Sequence, residues 1–150
     1  MTGPLVWSLG AAAAVKSLDG WIVEALIDLE HLRVQPVGPR LDLKVERIEH
    51  ARAETRRTRR SLLPARSILP VCEWKLSIDG VSEWELDIAD DCAELMVKEV
   101  VGGAAEFRIE GVYGRMSVRG LDLRAQAQLL GETELEAVCC LGFQYFRKRL

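Results

Sequence analysis

Between Ala11 and Leu32 the apolar positions recur in alternating steps of four and three: Ala11, Val15, Leu18, Ile22, Ala25, Leu29 and Leu32. That spacing fills one side of a helix and predicts one running from about Pro4 to about Arg33. Lys16, Ser17, Asp19, Glu24, Asp28 and Glu30 fall mostly elsewhere and are expected to face water. Gly20 weakens the middle by about 1 kcal/mol relative to alanine. Pro36, Gly38 and Pro39 close the pattern, because proline cannot continue the hydrogen-bond ladder. Two readings of the seam stand side by side. Either the helix packs on the chain's own sheet, or Val15, Leu18, Ile22, Leu29 and Leu32 also meet the same helix of another subunit.

Beyond residue 36 the period changes to two. Leu41, Leu43 and Val45 alternate with Asp42, Lys44 and Glu46, as in a half-buried strand that ends or bulges at Ile48. The run 62–70 is apolar but holds Pro64 and Pro70, which suits an edge strand or a crossover better than a central strand. Cys72, Trp74, Leu76 and Ile78 then alternate with polar residues up to Asp79-Gly80, a hairpin-turn signal. The returning strand carries Trp84, Leu86 and Ile88 against Glu83, Glu85 and Asp87, so Trp74 and Trp84 are both expected to face the core. Two more hairpins are predicted, one about Gly102-Gly103 and one about Gly131. The segment 142–150 reads as a short amphipathic helix or a last strand.

The expected architecture is therefore α+β: an N-terminal amphipathic helix packed on an antiparallel β-sandwich or open barrel. The 150 residues form one domain in this reading, with the helix in 1–35 and a β-rich body in 36–150. A charged hairpin is expected at 50–61.

Composition narrows the function classes. A formal net charge of −3 excludes general electrostatic attraction to nucleic acid, and leaves only a local patch. That patch is the arginine-rich loop, with Arg52, Arg56, Arg57, Arg59 and Arg60. Arginine reads phosphate well, and Arg56, Arg57, Arg59 and Arg60 are the anion-binding candidates. The run has no aromatic residue for base stacking, which favours a solvated loop. Cys72, Cys92, Cys139 and Cys140 form no C-x-x-C pair and read as buried thiols in a reducing, cytoplasmic setting. No segment has the length and apolarity of a membrane-spanning helix. The stretch 5–15 is read as part of the folded protein rather than a signal peptide.

Catalytic sets are hard to assemble from these residues. His31 and His50 are the only histidines, and no spacing links either to a nucleophile or a metal partner. Asp87, Asp90, Asp91 and Glu94 concentrate carboxylates at a strand end, without the order of a calcium loop. The glycines lack a strand–glycine–helix context for phosphate. No enzyme activity, metal or cofactor is expected.

The stretch Ser61 to Pro70, with its Leu62-Leu63-Pro64 run, is followed by the alternating strands from Trp74 to Ile88 and by Leu141 to Phe146 near the end. In this order of features the chain resembles the bacterial domain-of-unknown-function family 2589. The resemblance implies a β-rich accessory or assembly protein with no catalytic residues.

The leading expectation is a non-catalytic structural or interaction protein that self-associates through its N-terminal helix, its β edges, or both. The partner would be a second copy or another protein. An anion- or nucleic-acid-binding module using the arginine loop is the first alternative. A β-barrel holding a small ligand is the second.

Overall fold

The structure is a computed structural model that describes residues 5–35, 40–49, 54–56, 66–88, 93–103, 105–140 and 143–149. Within these, residues 31, 33–35, 54–56, 66–67, 135–140 and 143–149 are described by backbone alone. The elements are β1 (Leu5–Ser8), α1 (Ala12–Ile22), β2 (Leu26–Gln35), β3 (Arg40–Ile48), β4 (Glu54–Arg56) and β5 (Arg66–Asp79), then β6 (Glu83–Ile88), β7 (Glu94–Gly102), β8 (Glu106–Gly111), β9 (Gly114–Arg119), β10 (Arg124–Cys140) and β11 (Phe143–Arg149). Among the described residues the fold is mostly antiparallel sheet with one short helix.

The two longest strands form its spine. β5 and β10 pair antiparallel from Asp79 opposite Arg124 to Arg66 opposite Val138. Each carries two shorter strands on its other side: β3 and β4 on β5, β1 and β11 on β10. From β3 the sheet continues through β2, β7, β8 and β9 to β6, so it runs β1-β10-β5-β3-β2-β7-β8-β9-β6 and stays open.

Buried side chains from β1, α1, β2, β3, β5, β7, β8, β9 and β10 belong to one hydrophobic cluster. Leu41, Leu43 and Val45 of β3 enter it at the predicted period of two, as do Cys72, Trp74, Leu76 and Ile78 of β5. From the other half of the sheet come Phe107, Ile109, Met116 and Val118, all fully buried. The helix adds Val15, Leu18 and Ile22, of which Leu18 and Ile22 are 0% exposed. Side chains of this size contribute about 1.5–3 kcal/mol each when buried.

The helix is shorter than the apolar seam predicts. Residues 5–8 form β1, and the helix ends at Ile22. Glu24 then takes a left-handed φ of 67°, its N–H donates to the Val97 carbonyl at 2.8 Å, and the Ala25 carbonyl accepts from Val97 N–H at 2.9 Å. Pairing with β7 thus draws the chain out of the helix and into β2. Ala25 and Ile27 are buried and Leu29 is partly buried, a period of two hidden inside a sequence that also fits steps of three and four. Leu29 and Leu32 accordingly lie on β2, not on a helix.

Asp19 also departs from its expected place in water. Its carboxylate accepts a 2.6 Å hydrogen bond from the backbone N–H of Val100 on β7. The β7–β8 register shifts just before this point, between Val97 and Glu99, so the helix side chain satisfies a strand N–H beside an irregularity.

Three predicted connections change. Asp79-Gly80 does not close a hairpin between β5 and β6, because both edges of β5 are already taken by β10 and β3 and β6 pairs with β9 instead. Gly80 (φ 84°) turns a corner packed on Leu121 and Asp122, and a Cβ on Gly120 would collide with the Gly80 carbonyl. Gly131 is not a hairpin turn either; β10 runs through it with a bulge between Leu129 and Gly131. Finally, Arg66–Pro70 begins a central strand. Pro70 is tolerated because it falls between the end of β4 pairing at Ile68 and the start of β3 pairing at Val71. The hairpin about Gly102-Gly103 forms as predicted between β7 and β8, and the last segment is the strand β11.

Asp19→Ala removes a charge-assisted acceptor and leaves the Val100 N–H unmatched in a partly buried setting. It is expected to lower unfolding free energy by about 1–3 kcal/mol in a urea titration, with an unchanged m-value.

Candidate interaction edge

β6 terminates the sheet. It pairs with β9 on one side, and on its other side no strand lies among the described residues. Half of the backbone N–H and C=O groups of such a strand point away from the sheet and are open to another strand. Its register sets Glu83 opposite Arg119, Glu85 opposite Ser117 and Asp87 opposite Arg115 on the outer face. Trp84, Leu86 and Ile88 share the inner face with Val118, Met116 and Gly114.

The inner face at this edge is incompletely covered. Trp84 is 37% exposed, where Trp74 is 6% exposed, so only Trp74 is buried as expected of both. Leu86 is partly buried against the core. The two tryptophans arise from the same alternation, but Trp74 sits on a central strand and Trp84 on the last one.

Charge on the outer face runs in rows across β6, β9 and β8. Glu83, Arg119 and Glu106 form one row, Asp87, Arg115 and Glu110 another, and between them lie Glu85, Ser117 and Arg108. Arg119 reaches Glu83 at 3.7 Å and Glu106 at 3.6 Å, and Arg115 reaches Asp87 at 3.9 Å. These pairs are largely exposed and contribute little stability, but they fix the charge pattern. Glu85 has no ion-pair partner among the described residues. Beside it Ser117 leaves a hollow of about 480 Å³ lined by Glu83, Trp84, Glu85, Ser117 and Arg119.

A second feature lies where α1 passes into β2. Gly20, Trp21, Val23, Glu24, Ala25, Arg47, Ile48 and Glu49 line a cleft of about 250 Å³. Trp21 packs on Trp7 (5.1 Å between centroids) and edge-on to Trp74 (5.4 Å). The Arg47 guanidinium lies 4.8 Å from the Trp21 centroid and 3.4 Å from Glu49. Trp7 donates to the Ser17 hydroxyl at 3.2 Å, whereas the Nε1 atoms of Trp21 and Trp74 are buried without a partner. This cluster staples the helix to β1, β3 and β5. Its ionisable residues are Glu24, Arg47 and Glu49, of which Arg47 and Glu49 are paired with each other.

The other sequence candidates are scattered. Val15, Leu18 and Ile22 of the helix seam point into the chain's own core, which leaves them unavailable to another subunit in this fold. Arg56 lies on β4, while Arg57, Arg59 and Arg60 fall outside the described residues, as does His50. His31 lies on β2. Of the carboxylates, Asp87 ends on β6 and Glu94 opens β7, and Asp90 and Asp91 are outside the described residues. Among the described residues no cluster of three His, Cys, Asp or Glu side chains is placed to hold a metal ion. No helix is long and apolar enough to cross a membrane among them either.

Nothing in the alternation of Glu83–Ile88 announces that this strand is an edge. The one available signal is its outer face, three carboxylates in a row, a usual device for edge strands. No family model matches the chain, nor does any curated protein or solved structure. The resemblance to family 2589 gains no support from those comparisons.

Arg47→Met keeps the aliphatic stem over Trp21 and removes the cation. Stability is expected to fall by about 1 kcal/mol by chemical denaturation, the size of a partly desolvated cation–π contact.

Proposed function

We propose that this chain is a non-catalytic interaction protein that works by accepting a strand at the free β6 edge of its sheet. The observation that carries the reading is a six-residue strand, Glu83–Ile88, paired on one side only, with a part-exposed tryptophan on its apolar face. Strand addition at such an edge gains main-chain hydrogen bonds and side-chain contacts together. The buried seam of α1 leaves the β edge as the better-supported route of association. We also infer that the open sheet curls about α1, whose side chains share its core, as a half-open barrel with β6 on the rim.

Copies of the chain are held apart at this edge by their own charge. A two-fold-related β6 would set Glu83, Glu85 and Asp87 against the same residues of its partner, and like charges directly opposite are destabilising. Neutralising them therefore tests whether the edge is competent to pair at all. The triple variant Glu83→Gln, Glu85→Gln, Asp87→Asn is expected to dimerise at neutral pH by light scattering across a concentration series, with slowed amide exchange at β6. A triple variant that stays monomeric and keeps fast exchange there removes the reading.

A second reading is favoured by one register. Arg56 on β4 lies directly opposite Arg66 on β5 in the backbone register, so the topology sets two arginine positions side by side next to the arginine-rich run. Anion binding through Arg56, Arg57, Arg59 and Arg60 predicts retention on a phosphate resin at low salt. Retention should fall steeply with added salt and vanish when the four arginines become alanine. Flow-through of the wild-type protein at low salt rules this reading out.

A further inference from the structure

Resting on the β6 reading, the charge rows point to the chemistry of the strand that β6 accepts. We propose that the occupant is an extended segment of another protein in which basic and apolar residues alternate. On the outer face two rows run acid, base, acid from β8 through β9 to β6, and the third also ends in an acid, Glu85. The next position in every row, on the strand added outside β6, therefore meets Glu83, Glu85 or Asp87. Glu106, Glu110, Glu83, Glu85 and Asp87 face only Arg108, Arg115 and Arg119 across these strands, so the face is acidic before the partner arrives.

Glu85 sets the register of the occupant. Glu83 and Asp87 each have an arginine from β9, whereas Glu85 faces Ser117 and the hollow beside it. A lysine or arginine at the centre of the added segment supplies the missing cation, and its long stem fills the space over the serine. On the inner face the added strand continues the rows of Trp84 with Val118 and Phe107, and of Leu86 with Met116 and Ile109. These rows are apolar throughout, so the alternate residues of the segment are apolar and cover the exposed part of Trp84. A second copy of β6 satisfies the inner face but not the outer one.

The test uses the full chain and two capped peptides, one alternating valine with arginine or lysine over seven residues, the other alternating valine with glutamate. Tryptophan fluorescence titration at low and at physiological salt reads the binding. The basic peptide is expected to bind, with a shift in Trp84 emission that is lost in Trp84→Phe, and to weaken as salt rises. Glu85→Lys should weaken it by about tenfold. The triple variant Glu83→Lys, Glu85→Lys, Asp87→Lys should instead select the acidic peptide. Equal binding of the two peptides, or basic-peptide binding indifferent to Glu85→Lys, overturns the proposal. Should the neutralised triple variant dimerise while the basic peptide fails to bind, the partner chemistry is wrong and the edge reading survives. Should neither occur, both fall.

Discussion

Everything else in the fold is hung on the pairing of β5 with β10. Over Arg66–Asp79 and Arg124–Val138 these strands hold one another along nearly their whole length. Because each is longer than any single strand on its far side, each carries two strands there end to end. The arrangement explains why Pro70 sits in a central strand without breaking it, since the gap between β3 and β4 falls at that position. It also explains why Asp79-Gly80 turns a corner: with both edges of β5 occupied, the chain leaving Gly80 has no place beside the strand it has just completed, and it crosses to β9.

Packing of α1 follows from the same geometry. The sheet from β5 through β3 and β2 to β7, β8 and β9 presents its apolar residues to one cluster, and the helix enters that cluster with Val15, Leu18 and Ile22. Two polar devices pin it there. Asp19 satisfies the Val100 N–H on β7, and Trp21 is held between Trp7, Trp74 and Arg47. The seam that looks from its spacing like an interface between subunits is used up inside one chain. At the far end of the sheet β6 is paired on one side only among the described residues.

Alternation made the central strands legible: Leu41, Leu43 and Val45, and Cys72 through Ile78, lie in the core as their spacing requires. The end of the helix was not legible, because Ala25 and Leu29 fit a helical step and a strand step equally well. The tie was broken by Val97, far away in sequence. Glycine was misread for a related reason. Gly131 and Gly80 both mark departures from a plain strand, but whether the departure is a turn, a bulge or a corner depends on which edges are free. The same holds for the candidate site. The outer carboxylates of β6 can be read from the sequence, yet its position at the end of the sheet belongs to topology, which no local pattern encodes.

The pairing of Leu5–Ser8 with Arg124–Ala127 has a consequence for how the protein is made. β1 is made before the other described elements, and its only described strand partner, β10, is made after all of them but β11. Until β10 arrives, β1 has no ladder, β5 lacks one of its two neighbours, and Trp7 has no complete core to enter. Contacts so distant in sequence carry a large loop-closure cost before they return any stability, so they slow folding. While the segments between β1 and β10 are being made, the chain therefore carries open strand edges, the state in which a molecular chaperone has the most to protect.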